Sequence, residues 1–272
     1  MKKKHFLFGA ILTLFMACTS FTSCNSGIYY ENADQYTAGG ASLTQTVSSL
    51  DIIWTSGNVE IKHGDVDGVT FSESAAVPLN ERTNLYYWLD GETLRIRYAQ
   101  SKKGIHIGSY PSKNLVVTVP NEYDLQSVDL DVVSTDVQLN EVRVADVEVN
   151  NVSGDVDVTM SEMTKDIEVE SISGNVTITG SVADSLEIES TSGNIYIETN
   201  ATPKTGKIDN VSGNVTMTFP EDAAGFVLKM EITSGTFYTE LPMTNNGKDR
   251  VYGDGSCTLE IETVSGNIRL EK

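Results

Sequence analysis

Five carboxylates recur at one position of an internal pattern: Glu170, Glu189, Asp209, Glu231 and Glu262 each stand four residues ahead of the glycine of a Ser-Gly dipeptide. If the copies stack, these groups line up on one face, where like charges repel unless they splay into water, take up protons or share cations. A hard cation such as Ca²⁺ takes about six to eight oxygens, and the chain has no Gly-Gly-x-Gly-x-Asp run. The neighbouring outward file reads Glu148, Glu168, Glu187, Lys207, Lys229, Glu260, and its lysines offset part of the charge. The column therefore reads as a solvated acidic face, with a cation site as the alternative. A second chemistry is aromatic: Tyr86, Trp88, Tyr196 and Tyr238 could stack on sugar rings or on a partner protein. Tyr86-Tyr87-Trp88 also shares its alternation with Leu85 and Leu89, which fits packing of a cap.

Catalysis finds little support. Polysaccharide-active sites need convergent carboxylates with a base or a metal, whereas the acids here recur evenly. His63 and His106 are the histidines beyond the first residues, and no His-Glu-x-x-His, Gly-x-Ser-x-Gly, paired-cysteine or phosphate-loop motif occurs. The chain reads as non-catalytic and without a cofactor. Lys102, Lys103, His106 and Lys113, with Gly104, Gly108 and Pro111 among them, form one basic stretch that reads as a solvated loop.

Lys2, Lys3 and Lys4 precede an apolar run from Phe6 to Met16, followed by small polar residues. That is an export signal, too short to span a bilayer as a mature helix. Phe21-Thr22-Ser23-Cys24 resembles the bacterial lipobox, which implies lipidation of Cys24 and loss of residues 1–23; Cys18 after Ala17 is the rival acceptor, and a plain secreted protein the further alternative. Loss of the signal leaves 16 basic against 38 acidic residues, net −22. Nucleic acid and anionic surfaces are then poor partners, and membrane association falls to the lipid anchor. Cys257 would be the other mature cysteine and reads as a small packed residue at a strand start. Residues 24–40 read as a polar tether.

Residues that act through a face need elements that present it. Ser-Gly-Asn or a near variant recurs with glycines at Gly57, Gly154, Gly174, Gly193, Gly213, Gly235 and Gly266, and Ser134-Thr135-Asp136 is a degenerate copy on the same grid. From Gly154 to Gly213 the intervals are 20, 19 and 20; the later 22 and 31 imply loop insertions. Five before the glycine the residues read Leu130, Val149, Val169, Ile188, Ile208, Met230, Ile261, and two after it Val137, Val156, Val176, Ile195, Val215, Phe237, Ile268. Apolar alternation with period two on both sides of a glycine predicts strand, corner, strand. One such pair buries too little alone, so successive copies must stack into a shared interior. The expected fold is all-β, a parallel β-helix or β-solenoid with rungs of about 20 residues, right-handed by the usual crossover preference. The Asn of each corner, Asn175, Asn194, Asn214 and Asn267, is expected to stack and bond along the axis. Residues 41–272 form the solenoid, with 41–120 as irregular first turns and cap, or as a separate small β-domain, and 121–272 as regular rungs.

The Ser-Gly-Asn/Asp-Val-x-Val copies, Asp90-Gly91-Glu92-Thr93-Leu94-Arg95-Ile96 and Leu115-Val116-Val117-Thr118-Val119-Pro120 resemble the bacterial "putative adhesin" family, an adhesin-like β-repeat domain, over roughly residues 48–272. The resemblance implies a β-helical fold and an envelope location, and brings no catalytic residues. The function expected is a non-catalytic envelope lipoprotein, anchored to the outer membrane, presenting a sheet face to glycan or to an envelope protein. A periplasmic structural or stress-regulatory component is the alternative, and a polysaccharide-active enzyme a third.

Overall fold

The computed structural model describes residues 28–102 and 110–272. The export signal, Cys24, Lys103 and His106 lie outside the described residues. No α-helix occurs among the described residues and none is long and apolar enough to cross a membrane; a 3-10 turn, Ala33–Gln35, is followed by strands throughout.

Each rung is two strands joined at the glycine corner. Val156 pairs with Val176, Val176 with Ile195 and Ile195 with Val215, all in parallel register, so successive rungs are 19 or 20 residues apart. The segments before the corners form one wall and those after them a second, joined by strands such as Val156–Ser173 into a single 20-stranded sheet; inward side chains of both walls, Val169, Ile188 and Ile208 with Val176, Ile195 and Val215, belong to one continuous core. Burying this doubly apolar interior favours the stack, because neither wall can hide its inner face alone.

The corners explain the glycines. Gly154, Gly174, Gly193 and Gly213 have φ between +123° and +144°. A Cβ built at Gly193 would collide with the Gly174 carbonyl oxygen, and one at Gly213 with that of Gly193. Each corner carbonyl lies under the next glycine, so a side chain is excluded by the neighbouring rung as well as by its own backbone. Thr135 takes the glycine position in Leu125–Val142 without a positive φ. The expected ladder is present: Asn175 Oδ1 accepts from the Asn194 N–H at 3.1 Å, Asn194 Oδ1 from Asn214 N–H at 3.0 Å, and Asn214 Oδ1 from Asn267 N–H at 3.0 Å. Asp136 begins it by accepting from Asp155 N–H at 3.0 Å, and Asp155 Oδ1 accepts in turn from Asn175 N–H at 2.7 Å.

Rung order departs from chain order at both ends. Copies stacked as they come would place Phe226–Ser234 against Thr205–Ser212; instead Cys257–Ser265 lies between them, parallel to both. The cause is the segment behind the 31-residue interval. Asp249–Tyr252 pairs antiparallel with Phe226–Ser234 and with Thr244–Asn246, so the 226–234 strand carries the terminal cover and the last copy fills the slot inside it. At the other end Ser49–Gly64 lies between Leu125–Val142 and the pair Thr93–Arg97 and Lys113–Pro120. Tyr86–Asp90 and Val69–Ala75 then close that edge antiparallel, covered in turn by Thr37–Ala38 and Ala41–Leu43. Short antiparallel strands blunt edges that would otherwise template further pairing.

Two local expectations change. The tether is pinned at two rings while most of its described residues stay exposed: Tyr30 is buried with its hydroxyl donating to Ala99 O at 3.1 Å, and Tyr36 lies against the Tyr30 and Trp88 rings. Lys113, expected in a solvated loop, is buried, because its ammonium donates to Glu73 Oε2 at 2.6 Å, to Thr83 O at 2.7 Å and to Tyr98 O, with the Trp54 and Tyr98 rings 4.8 and 4.3 Å away. Desolvation lowers its pKa, and Glu73 opposes the shift.

Candidate functional site: two outward faces of opposite character

The wall ahead of the corners carries two outward files in register. One runs Arg95, Asp51, Asp129, Glu148, Glu168, Glu187, Lys207, Glu260, Lys229. The other runs Arg97, Ile53, Asp131, Asn150, Glu170, Glu189, Asp209, Glu262, Glu231. The five expected carboxylates are therefore consecutive, with Glu231 last because of the exchanged rungs. Cations are interleaved with the acids. Arg97 donates to Asp51 Oδ1 at 2.6 Å and Oδ2 at 3.0 Å, and Arg95 also pairs with Asp51. Lys207 reaches Glu189 at 2.9 Å and Asp209 at 3.4 Å, and Glu187 as well.

The stretch between these cations is under strain of charge. Desolvation beside the packed files, then the carboxylates of Asp131, Glu148 and Asp51, push Asp129 up to about 7. Desolvation also raises Asp131, Glu168, Glu170, Asp209 and Glu262, with neighbouring carboxylates adding to it. A depression of about 490 Å³ opens here, lined by Asp129, Glu148, Glu168 and Glu187 with Lys165 at its side. Among the described residues no three His, Cys, Asp or Glu side chains converge as a metal site would require.

The wall after the corners is less acidic, with Glu198 and Glu271 two residues along from its central outward file and Arg269 Nε paired with Glu271 at 2.7 Å. Its outward file reads Glu60, Gln138, Asp157, Thr177, Tyr196, Thr216, Arg269, Tyr238. From Thr177 to Tyr238 five successive rungs carry no carboxylate in this file. Tyr196 and Tyr238 are 44% and 47% exposed and stand in one file. The Arg269 guanidinium lies 4.6 Å from the Tyr238 ring centre, and the Tyr238 hydroxyl donates to Glu240 at 3.1 Å. These contacts fix one ring as a platform.

The other aromatic pair sits elsewhere. Tyr86 is buried in the cap and donates to Glu81 O at 2.9 Å, while Trp88 has Tyr36 edge-on at 5.7 Å and the Arg95 guanidinium at 5.9 Å. His63 is a staple: its Nε2 accepts from Arg143 N–H at 3.1 Å, which leaves Nδ1–H to donate to Pro120 O at 2.9 Å. Cys257 is buried at the start of its strand and is the free thiol of the described residues. Sequence reasoning missed Arg269, whose role needs the exchanged rung order to bring it beside Tyr238.

Among curated proteins none matches significantly. Solved structures resemble the chain at low identity. A protein described as a putative adhesin from Bacteroides fragilis is 14% identical, with 86% of this chain and 96% of that one covered and a TM-score of 0.47. A putative adhesin from Parabacteroides distasonis is 10% identical over 87% and 97%, with a TM-score of 0.39. A "putative lipid binding protein" from the same species is 14% identical over 88% and 97%, with a TM-score of 0.36. None of these likenesses transfers a ligand. The family is settled by the sequence: residues 47–271 match the Toastrack DUF4097 family, and the chain belongs to it.

Proposed function

We propose that the protein is a non-catalytic interaction module of the cell envelope, exported and lipid-anchored at Cys24, whose Thr177–Tyr238 file binds a glycan chain lying along the stack. The observation that carries this reading is the pair of exposed tyrosines in the Thr177–Tyr238 stretch of one file, a stretch that holds no carboxylate. They stand three rungs apart, about 14 Å at the usual strand spacing, with Thr216 and Arg269 between. Rings on a rigid sheet stack on sugar faces with little entropy left to lose, and hydroxyl and guanidinium groups meet the sugar hydroxyls. The opposite wall, crowded with carboxylates, would repel an anionic polymer.

The test is a glycan array with the full chain, followed by titration of the best binder. Tyr196→Ala and Tyr238→Ala should each weaken binding about tenfold, the equivalent of about 1.4 kcal/mol. A glycan whose affinity survives both substitutions but falls with Glu170→Gln would move the site to the acidic face. No glycan hit, together with one specific protein crosslinked in the envelope, would replace this reading by the structural or regulatory one.

A further inference from the structure

The interior is not uniformly apolar. Three residues ahead of each corner the inward file runs Trp54, Val132, Asn151, Ser171, Ser190, Asn210, Thr263, Ile232. Asn151, Ser171, Ser190, Asn210 and Thr263 are consecutive, and each is between 0% and 4% exposed. Each also holds one buried oxygen with no hydrogen-bond partner among the described residues: Asn151 Oδ1, Ser171 Oγ, Ser190 Oγ, Asn210 Oδ1 and Thr263 Oγ1. The amide nitrogens of the two asparagines are already committed, Asn151 Nδ2 to Gly154 O at 2.6 Å and Asn210 Nδ2 to Gly193 O at 3.3 Å. Their Oδ1 atoms therefore accept from something else.

A buried oxygen without a partner is costly, and native interiors rarely tolerate one, let alone five in a row. The file cannot satisfy itself, because like positions on adjacent rungs are about 4.8 Å apart, too far for a direct bond. That spacing suits a bridge. An oxygen placed about 2.8 Å from two such neighbours makes an angle of about 118° and lies about 1.4 Å off the line joining them. Space is also available, since serines occupy the position that Trp54 fills at one end and Ile232 at the other, and close packing leaves the difference to be filled by something small. The chemistry matches water: carbonyl oxygens need a donor, and hydroxyls can donate or accept.

We infer that this seam binds a file of structural waters, one between each successive pair of rungs from Asn151 to Thr263, four in all. The file also bears on rung order. With the C-terminal rung in place, Thr263 abuts Asn210 and continues the seam; stacking in chain order would set Ile232 there and strand Thr263 beyond it. Bound water thus favours the observed exchange over the sequential alternative.

The test is a crystal structure of the full chain at a resolution that shows ordered water, with melting of variants beside it. Expected are four densities, each about 2.8 Å from oxygens of two adjacent rungs, and loss of the two flanking Ser190 in Ser190→Ala. Densities at about 2.3–2.6 Å with further oxygen ligands would be a cation and would overturn the assignment, as would hydroxyls donating to main-chain carbonyls with no density between rungs. Melting gives an independent sign. If water satisfies the seam, Thr263→Val lowers Tm by about 2–4 °C. If the hydroxyl is truly unpaired, removing it raises Tm, and the inference fails.

Discussion

Gly193→Ala isolates what a corner glycine does. Its φ of +144° lies in a region that residues with a side chain rarely enter, at a cost of about 1–3 kcal/mol. The added methyl would also meet the Gly174 carbonyl oxygen of the neighbouring rung, which is backbone held in a parallel ladder and cannot swing away. Overpacking of that kind costs about 1–3 kcal/mol more. The two together give about 4 kcal/mol, which for a domain of this size lowers Tm by about 8–16 °C. Gly91→Ala supplies the contrast, since Gly91 also has positive φ, +63°, but nothing lies within 4 Å of its missing Cβ. Only the left-handed backbone term applies there, about 1 kcal/mol and about 2–4 °C. Both variants would be melted in urea and by heat, followed by far-ultraviolet circular dichroism. Equal shifts in the two would refute the claim that the neighbouring rung, rather than φ alone, enforces glycine at the corner.

Two further predictions concern charge. The raised carboxyls of Asp129, Asp131, Glu168, Glu170, Asp209 and Glu262 bind protons more tightly folded than unfolded, so the folded state holds the excess protons between about pH 4 and pH 7. Stability therefore falls as pH rises through that window: Tm at low salt should be higher at pH 5 than at pH 8, and the gap should narrow at 1 M salt. A Tm that rises steadily from pH 5 to pH 8 would contradict the crowding of these groups. In the cap, Glu73→Gln leaves the Lys113 ammonium buried without its counter-ion and should cost about 3–5 kcal/mol in urea unfolding. The double variant Glu73→Gln, Lys113→Met should recover at least half of it, and additive losses would show that the pair is not coupled.

The regular rungs were legible because two periods coincide: alternation places Val169, Val176 and Ile178 inward, and the 19- or 20-residue step repeats the placement. Chain order at the ends was not legible, since every copy offers the same apolar pattern and parallel pairing of any two copies satisfies it. What decides is the cover strand Asp249–Tyr252, whose four residues are too short for an alternating strand pattern to stand out. Lys113 was misread for a related reason. Its neighbours in sequence are polar and glycine-rich, whereas its partner Glu73 is 40 residues away and the rings that cage it come from Trp54 in another strand and Tyr98 in the bend after Thr93–Arg97. The interior seam Asn151, Ser171, Ser190, Asn210, Thr263 stands two residues after an always-apolar position, so alternation places it inward, but its polar side chains give no apolar signal that marks it as core. Tyr196 and Tyr238 were found by alternation alone, while their partner Arg269 came from a rung that sequence order places outside both.

The same exchange of rungs fixes which end of the stack a tether would hold. Thr37–Ala38 pairs with Tyr86–Tyr87 at the outermost edge beyond Thr93–Arg97, so the chain enters through the cap that carries Arg95 and Arg97. The rungs from that cap to Phe226–Ser234 extend about 40 Å at the usual spacing. A lipid on Cys24 would then hold the cap end near the membrane and put Tyr238, in the last rung, at the far end with Tyr196 three rungs below it. On the proposed anchoring, the tyrosine file would thus lie toward the end of the stack away from the lipid, where a chain lying along it meets least of the anchored cap.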